Sequence, residues 1–139
     1  MDKNWLGLDI GGANIKFDDT RGNHGQIPFE IWKDPQSLTS TLRNRITGWN
    51  EYQRLAVTMT GELADCFTDK RQGVTHICES VRSASRQSQV LFYQTSGTFV
   101  SFTEAKDNWI LTAASNWHAL ASWIGQHVVD CLVIDIGST

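Results

Sequence analysis

Two periodicities divide this chain, and the points where one gives way to the other mark its elements. Over residues 4–10, Trp5-Leu6-Gly7-Leu8 is apolar at successive positions, which predicts a central strand buried on both faces. Over 13–18, Ile15 and Phe17 alternate with Asn14 and Lys16, which predicts a second strand and not a helix. The turn residues Gly22-Asn23-His24-Gly25 lead into a third, over 26–33, where Ile27, Phe29 and Ile31 alternate with polar neighbours.

The period then lengthens. Asp34-Pro35 supplies a helix start with proline in the first turn, Leu38, Leu42 and Ile46 follow at helical spacing, and Gly48 is the expected stop. Leu55-Ala56-Val57-Thr58-Met59 predicts a fourth strand. A second helix is expected over 70–87, burying Val74, Ile77, Cys78, Val81 and Ala84. Residues 89–93 and 98–100, joined by Gln94-Thr95-Ser96-Gly97, predict a hairpin. A third helix is expected over 113–124, with Ala114, Trp117, Leu120, Ala121 and Ile124 inward, and a last strand over 131–135.

Three strands, then helix, strand and helix, is the order of an α/β fold with a ribonuclease H-like mixed sheet flanked by helices. We expect this domain to occupy 1–130, with 131–139 the first strand and turn of a second domain, so that the chain is an N-terminal half.

Composition narrows the function classes. A net charge of −3 with no long basic run argues against nucleic-acid or anionic-membrane surfaces as partners. The apolar stretches fall short of a membrane span, and nothing at the N-terminus reads as a signal peptide. Three cysteines at unpatterned spacing, Cys66, Cys78 and Cys131, read as reduced thiols of a cytoplasmic protein.

The chemistry concentrates in two turns. The first strand ends in Asp9-Ile10-Gly11-Gly12-Ala13-Asn14-Ile15-Lys16, and the last strand ends in Asp135-Ile136-Gly137-Ser138-Thr139. Glycine at a strand tip lets backbone amides approach a phosphate. The residues expected to grip phosphate are Gly11, Gly12, Asn14, Lys16, Gly137, Ser138 and Thr139. Asp9 and Asp135 suit Mg²⁺, which binds through one or two carboxylates plus substrate phosphates and keeps several waters.

A dinucleotide fingerprint is excluded, because its glycines open a helix and these enter a strand; no Walker-type loop is present. Thr58-Met59-Thr60-Gly61-Glu62-Leu63-Ala64-Asp65-Cys66 is the other loaded segment, since it follows a buried strand. Glu62 and Asp65 fit a base, a metal ligand or a substrate-amine contact, or simply an acidic helix start. His24, His76, His118 and His127 read as turn, surface or packing residues, and Cys66, His76 and Cys78 lack zinc-ligand spacing.

Paired phosphate turns in a three-strands-first order resemble the sugar kinase/Hsp70/actin superfamily, that is, the actin-like ATPases. The strings WLGLDIGGANIK, AVTMTGELADCF, SNWHALASW and LVIDIGST are similar to the hydantoinase/oxoprolinase-like proteins of the tetrahydromethanopterin-linked one-carbon pathway. That resemblance implies a transferase of methanofuran biosynthesis that joins an aminomethylfuran-methyl diphosphate to the phenol of a γ-glutamyltyramine-like acceptor, releasing diphosphate. Gly11, Gly12 and Lys16 would hold the diphosphate, Asp9 and Asp135 the Mg²⁺, and Glu62 or Asp65 would take the phenol proton or hold the aminomethyl group.

Two alternatives stay open: an ATP-dependent small-molecule kinase of the same superfamily, and a non-catalytic nucleotide- or partner-binding half-domain. The partners implied are the diphosphate substrate and phenolic acceptor, and a C-terminal domain or complementing chain docking near Trp117, His118 and Trp123. A homo-oligomer is a further option.

Overall fold

The computed structural model describes residues 4–85 and 87–136. Six strands form one mixed sheet: β1 (Trp5–Ile10), β2 (Asn14–Asp19), β3 (His24–Pro28), β4 (Arg54–Met59), β5 (Gln89–Tyr93) and β6 (Phe99–Val100). Their spatial order is β3-β2-β1-β4-β5-β6. The first three strands are antiparallel neighbours, β4 and β5 run parallel to β1, and β6 turns back on β5. This is the expected α/β architecture, a mixed sheet flanked by helices.

Alternation decides which face is covered. Leu6, Leu8 and Ile10 of β1, with Leu55, Val57 and Met59 of β4, are all buried. They form one core with Leu38 and Leu42 of α1 (Leu38–Arg45) and Val74, Ile77, Cys78 and Val81 of α2 (Lys70–Ala84). Trp5, Gly7 and Asp9, which point the other way, are only half-buried. The expectation of a first strand buried on both faces is therefore corrected: β1 has one covered and one open face.

Capping fixes α2. Asp69 accepts from the Gln72 amide at 2.8 Å, and the Gln72 side chain accepts from the Thr68 amide at 2.6 Å, a reciprocal cap on the first turn. At its far end Arg43 donates to the Ser83 and Ala84 carbonyls, and Trp49 Nε1 donates to Ala84 O at 2.9 Å. These are carbonyls that a helix leaves without an internal partner.

The third strand is shorter than expected. It stops at Pro28, which has no amide to give a ladder. Phe29 and Ile31 donate instead to Ala13 O and Gly12 O, at 2.9 and 3.0 Å, and bolt down the β1–β2 turn. Gly48 lies past the end of α1, in a left-handed conformation that opens a short 3-10 turn.

Helices α3 (Phe102–Asp107) and α4 (Trp109–Thr112) were not expected. The last helix, α5 (Ser115–Gly125), is displaced from its expected role, since Ser115 is its buried residue. Trp117 is 54% exposed, Leu120 44% and Trp123 60%. Beyond α5 the expected strand over 131–135 does not form: residues 131–136 are exposed and pair with nothing among the described residues. Gly137, Ser138 and Thr139 lie outside the described residues.

Candidate functional site

Three loops meet where β1 and β4 end. The first is the β1–β2 turn, in which the Gly11 amide donates to Asn14 O at 3.0 Å. A side chain at Gly11 would put its Cβ 2.9 Å from that same oxygen, so the turn closes this tightly only with glycine. Among the described residues the amides of Gly12 and Ala13 donate to no backbone or side-chain acceptor. Two uncommitted N–H groups at a strand tip are the elements of an anion-binding nest.

Asp9 and Lys16 stand opposite each other across β1 and β2, two rungs below this turn. Asp9 accepts from Thr58 Oγ1 of β4 at 3.1 Å, while Lys16 is exposed. Of the expected phosphate and metal residues, the structure thus brings Asp9, Gly11, Gly12, Asn14 and Lys16 onto one hairpin. Asp135 lies in the exposed segment after α5, and no group of three His, Cys, Asp or Glu residues that could hold a metal occurs among the described residues.

The second loop is Thr60-Gly61-Glu62. The Thr60 amide donates to Ile10 O at 3.0 Å, and a Cβ at Gly61 would lie 2.9 Å from Gly11 O, so backbones touch here. Glu62 is 1% exposed. Its Oε1 accepts from the Ala114 amide at 2.6 Å, and its Oε2 has no partner. Burial pushes the Glu62 carboxyl above its ordinary range, against the hydrogen bonds from its own backbone and from Ala114 that favour the charged form. Space for it exists because α2 presents Gly73, whose Cβ would stand 2.6 Å from the Glu62 backbone. Asp65 goes elsewhere: it is exposed on the loop that follows, so the structure separates the two carboxylates.

The third loop is Ala114-Ser115-Asn116, at the start of α5. Ala114 has φ 49°, a left-handed conformation that costs a non-glycine residue free energy. Its amide is the one held by Glu62. Ser115 Oγ accepts from the Met59 amide at 3.3 Å, and Asn116 Nδ2 lies 3.5 Å from Thr60 Oγ1. His118 packs as expected, its Nδ1 3.1 Å from the Tyr93 hydroxyl.

Sequence reasoning did not single out Thr58, Gly73, Ala114 or Ser115. Thr58 was legible as a polar residue level with Asp9 on a parallel neighbour. No sequence signal marks a left-handed alanine.

A trough of about 370 Å³ adjoins this junction on the open face of the sheet. Gly7 and Ala56 form its floor, Asp9, Lys16 and Thr58 one end, and Asp18 and Phe99 its sides.

A model of the hydantoinase/oxoprolinase family matches residues 54–139, more than half of the chain. Over 96% of its length the chain is 37% identical to the (4-{4-[2-(gamma-L-glutamylamino)ethyl]phenoxymethyl}furan-2-yl)methanamine synthase of Methanocaldococcus jannaschii. It spans 41% of that relative. No helix among the described residues is long and apolar enough to cross a membrane. The chain belongs to the hydantoinase/oxoprolinase family.

Proposed function

We propose that the protein carrying this chain is a transferase of methanofuran-type cofactor biosynthesis, joining an aminomethylfuran-methyl diphosphate to a γ-glutamyltyramine-like phenol. In that reaction the carbon–oxygen bond to diphosphate breaks with its electron pair leaving on the diphosphate. An ether bond forms from the phenol oxygen to the furan methylene carbon, and the phenol proton goes to a base. The name of the M. jannaschii relative describes such a phenoxymethyl-furan product. One observation carries the reading: the Gly11–Gly12 turn, the Thr60–Glu62 turn and the start of α5 converge at the ends of β1 and β4.

The Gly11 amide, expected to hold the diphosphate, is spent on Asn14 O, so the amides of Gly12 and Ala13, with Lys16, take the diphosphate, and each donor gains strength as charge builds on the leaving group. Asp9 fits Mg²⁺ as the one carboxylate this hairpin supplies, being half-buried, fixed by Thr58 and level with Lys16. Bound Mg²⁺ would supply positive charge against the departing diphosphate. Glu62 takes the phenol proton on Oε2, since Oε1 is committed to Ala114 and burial raises its basicity; Oε2 is covered in this structure, so the step requires the Thr60–Glu62 turn to open towards the substrate. Asp65, in solvent, has no part in this step. The remaining domain, expected from residue 131 onward, would bring Asp135 and its turn to complete the site.

The test uses the protein at full native length, assayed for diphosphate release with no nucleotide present. In a parallel assay with ATP and an acceptor alcohol, ADP formation would make it a kinase, and neither activity would leave a binding domain. Glu62→Gln keeps the oxygen that holds Ala114 but cannot take a proton. Loss of roughly 10²–10³ in kcat is expected; unchanged turnover reduces Glu62 to a brace.

A further inference from the structure

We propose that the trough on the open face of the sheet is the subsite for the ammonium-bearing furan ring, with Asp18 as its counter-charge. This rests on the transferase reading above and says where that substrate lies.

The trough is built from pattern. Gly7 and Ala56 are neighbours across β1 and β4 and share the open face. Two small residues side by side leave a flat, apolar floor where larger ones would have filled it. Phe99, 51% exposed, rises at one side and is held edge-on by Tyr93, ring centroids 5.2 Å apart at 65°. Tyr93 is in turn fixed by His118 of α5. An apolar slot with a rigid aromatic wall and few polar groups is the usual form of a site for a small flat ring.

Charge then picks the ring. The product named for the relative has two, a phenoxy ring and a furan. The amine on the phenol side is acylated by a γ-glutamyl group, whose own α-ammonium lies far from the ring beside an α-carboxylate that cancels its charge, whereas the furan carries a free methanamine, an unpaired ammonium one carbon from its ring. Asp18 is level with Gly7 in the β1–β2 register, and Asp9 and Lys16 are level with each other two residues further along β1. Two residues of strand span about 7 Å, about the length of an aminomethylfuran from its nitrogen to its second methylene. With the ammonium on Asp18 and the ring over Gly7 and Ala56, the reacting methylene falls beside Asp9 and Lys16, under the Gly11–Gly12 turn. Ring and diphosphate then lie along one line of the open face.

The probes are furfurylamine and furfuryl alcohol, alike in shape and differing in charge. Binding to the full-length protein is read by ligand-observed magnetic resonance, and competition by initial rates. Furfurylamine should bind at least about tenfold more tightly than the alcohol, as a charge-assisted contact predicts. It should compete with the furan diphosphate and not with the phenolic acceptor. Asp18→Asn, on an exposed strand position, should abolish the preference for the amine. Ala56→Leu should fill the floor and abolish binding of both probes. Equal binding of the two probes to the native protein would overturn the proposal, as would binding that survives Ala56→Leu or competition with the phenol alone. If no diphosphate is released but furfurylamine binds in an Asp18- and Ala56-dependent way, the subsite stands and the transferase reading falls.

Discussion

Two buried carboxylates sit at opposite ends of the same sheet and are treated in opposite ways. Asp19, at the end where β1 begins, accepts from five donors: the amide and Nε of Arg21, the amide and Nδ2 of Asn23, and the Tyr52 hydroxyl. Glu62, at the end where β1 and β4 finish, accepts one hydrogen bond from another residue and leaves Oε2 bare. Burial would raise the Asp19 carboxyl, but the bonds from Asn23, Tyr52 and Arg21 outweigh it and hold the group well below its usual range. At Glu62 burial wins. A fully bonded buried charge locks a fold, whereas an under-bonded one is kept at a cost in stability, the mark of a site under functional constraint. On the proposed reading the Asp19 end is a fastener and the Glu62 end is the working end.

The largest effect should come from breaking the fastener. Asp19→Ala removes the acceptor from all five donors at once and leaves the Tyr52 hydroxyl buried without it. Urea unfolding should show a greater loss of stability for Asp19→Ala than for Glu62→Ala or Gly73→Ala. The expected behaviour at the working end is different: Glu62→Ala should lose turnover out of proportion to stability. Comparable stability losses from both would erase the distinction.

Next in size is Gly73→Ala. The new Cβ would stand 2.6 Å from the Glu62 backbone, so α2 or the Thr60–Glu62 turn must shift. Overpacking of this kind costs about 1–3 kcal/mol, and here turnover should fall as well because the displaced residue is Glu62. A melt that drops while kcat holds would mean that the turn tolerates movement and that its position does not matter.

The two carboxylates should also separate by pH. Asp19 has a folded value below its ordinary 3.8, so its contribution is complete above that pH and lost as the pH falls towards the folded value. Glu62 has a folded value above its ordinary 4.5; the folded state keeps a proton that the unfolded chain gives up. Its effect is a fall in stability as the pH rises from 4.5 through the folded value. Asp19→Asn should therefore flatten the acid side of a stability profile, and Glu62→Gln the side above it. A profile in which the two substitutions flatten the same side would reverse one of these assignments.

How much of this was legible varies by element. The core of α2 was readable because Val74, Ile77, Cys78, Val81 and Ala84 repeat at helical spacing and nothing in the tertiary structure overrides them. The tight β1–β2 turn was readable because Gly11 and Gly12 follow a strand and Ile15 and Phe17 then resume its alternation. Helix α3 was missed although Ser101 and Glu104 spell a helix start, and Ser101 does cap it. The face of α5 was misjudged because apolar spacing says which residues share a stripe, not whether anything covers it. The isolation of Glu62 from Asp65 was invisible, since it depends on Gly73, eleven positions beyond Glu62 in sequence, making room for one and not the other.

The smallest expected effect bears most directly on how the working end is held. Ala114 is kept left-handed between the amide contact to Glu62 and the Ser115 contact to Met59. Glycine adopts that conformation without the steric cost alanine bears, while it loses more chain entropy on folding. The balance for Ala114→Gly should be a gain in stability within about 1 kcal/mol. If Glu62 is what imposes the conformation, the gain should shrink in a Glu62→Ala background, where Ala114 is free to relax. An equal gain in both backgrounds would mean that the β4-to-α5 contacts hold Ala114 by themselves, and that Glu62 is kept for its uncommitted oxygen.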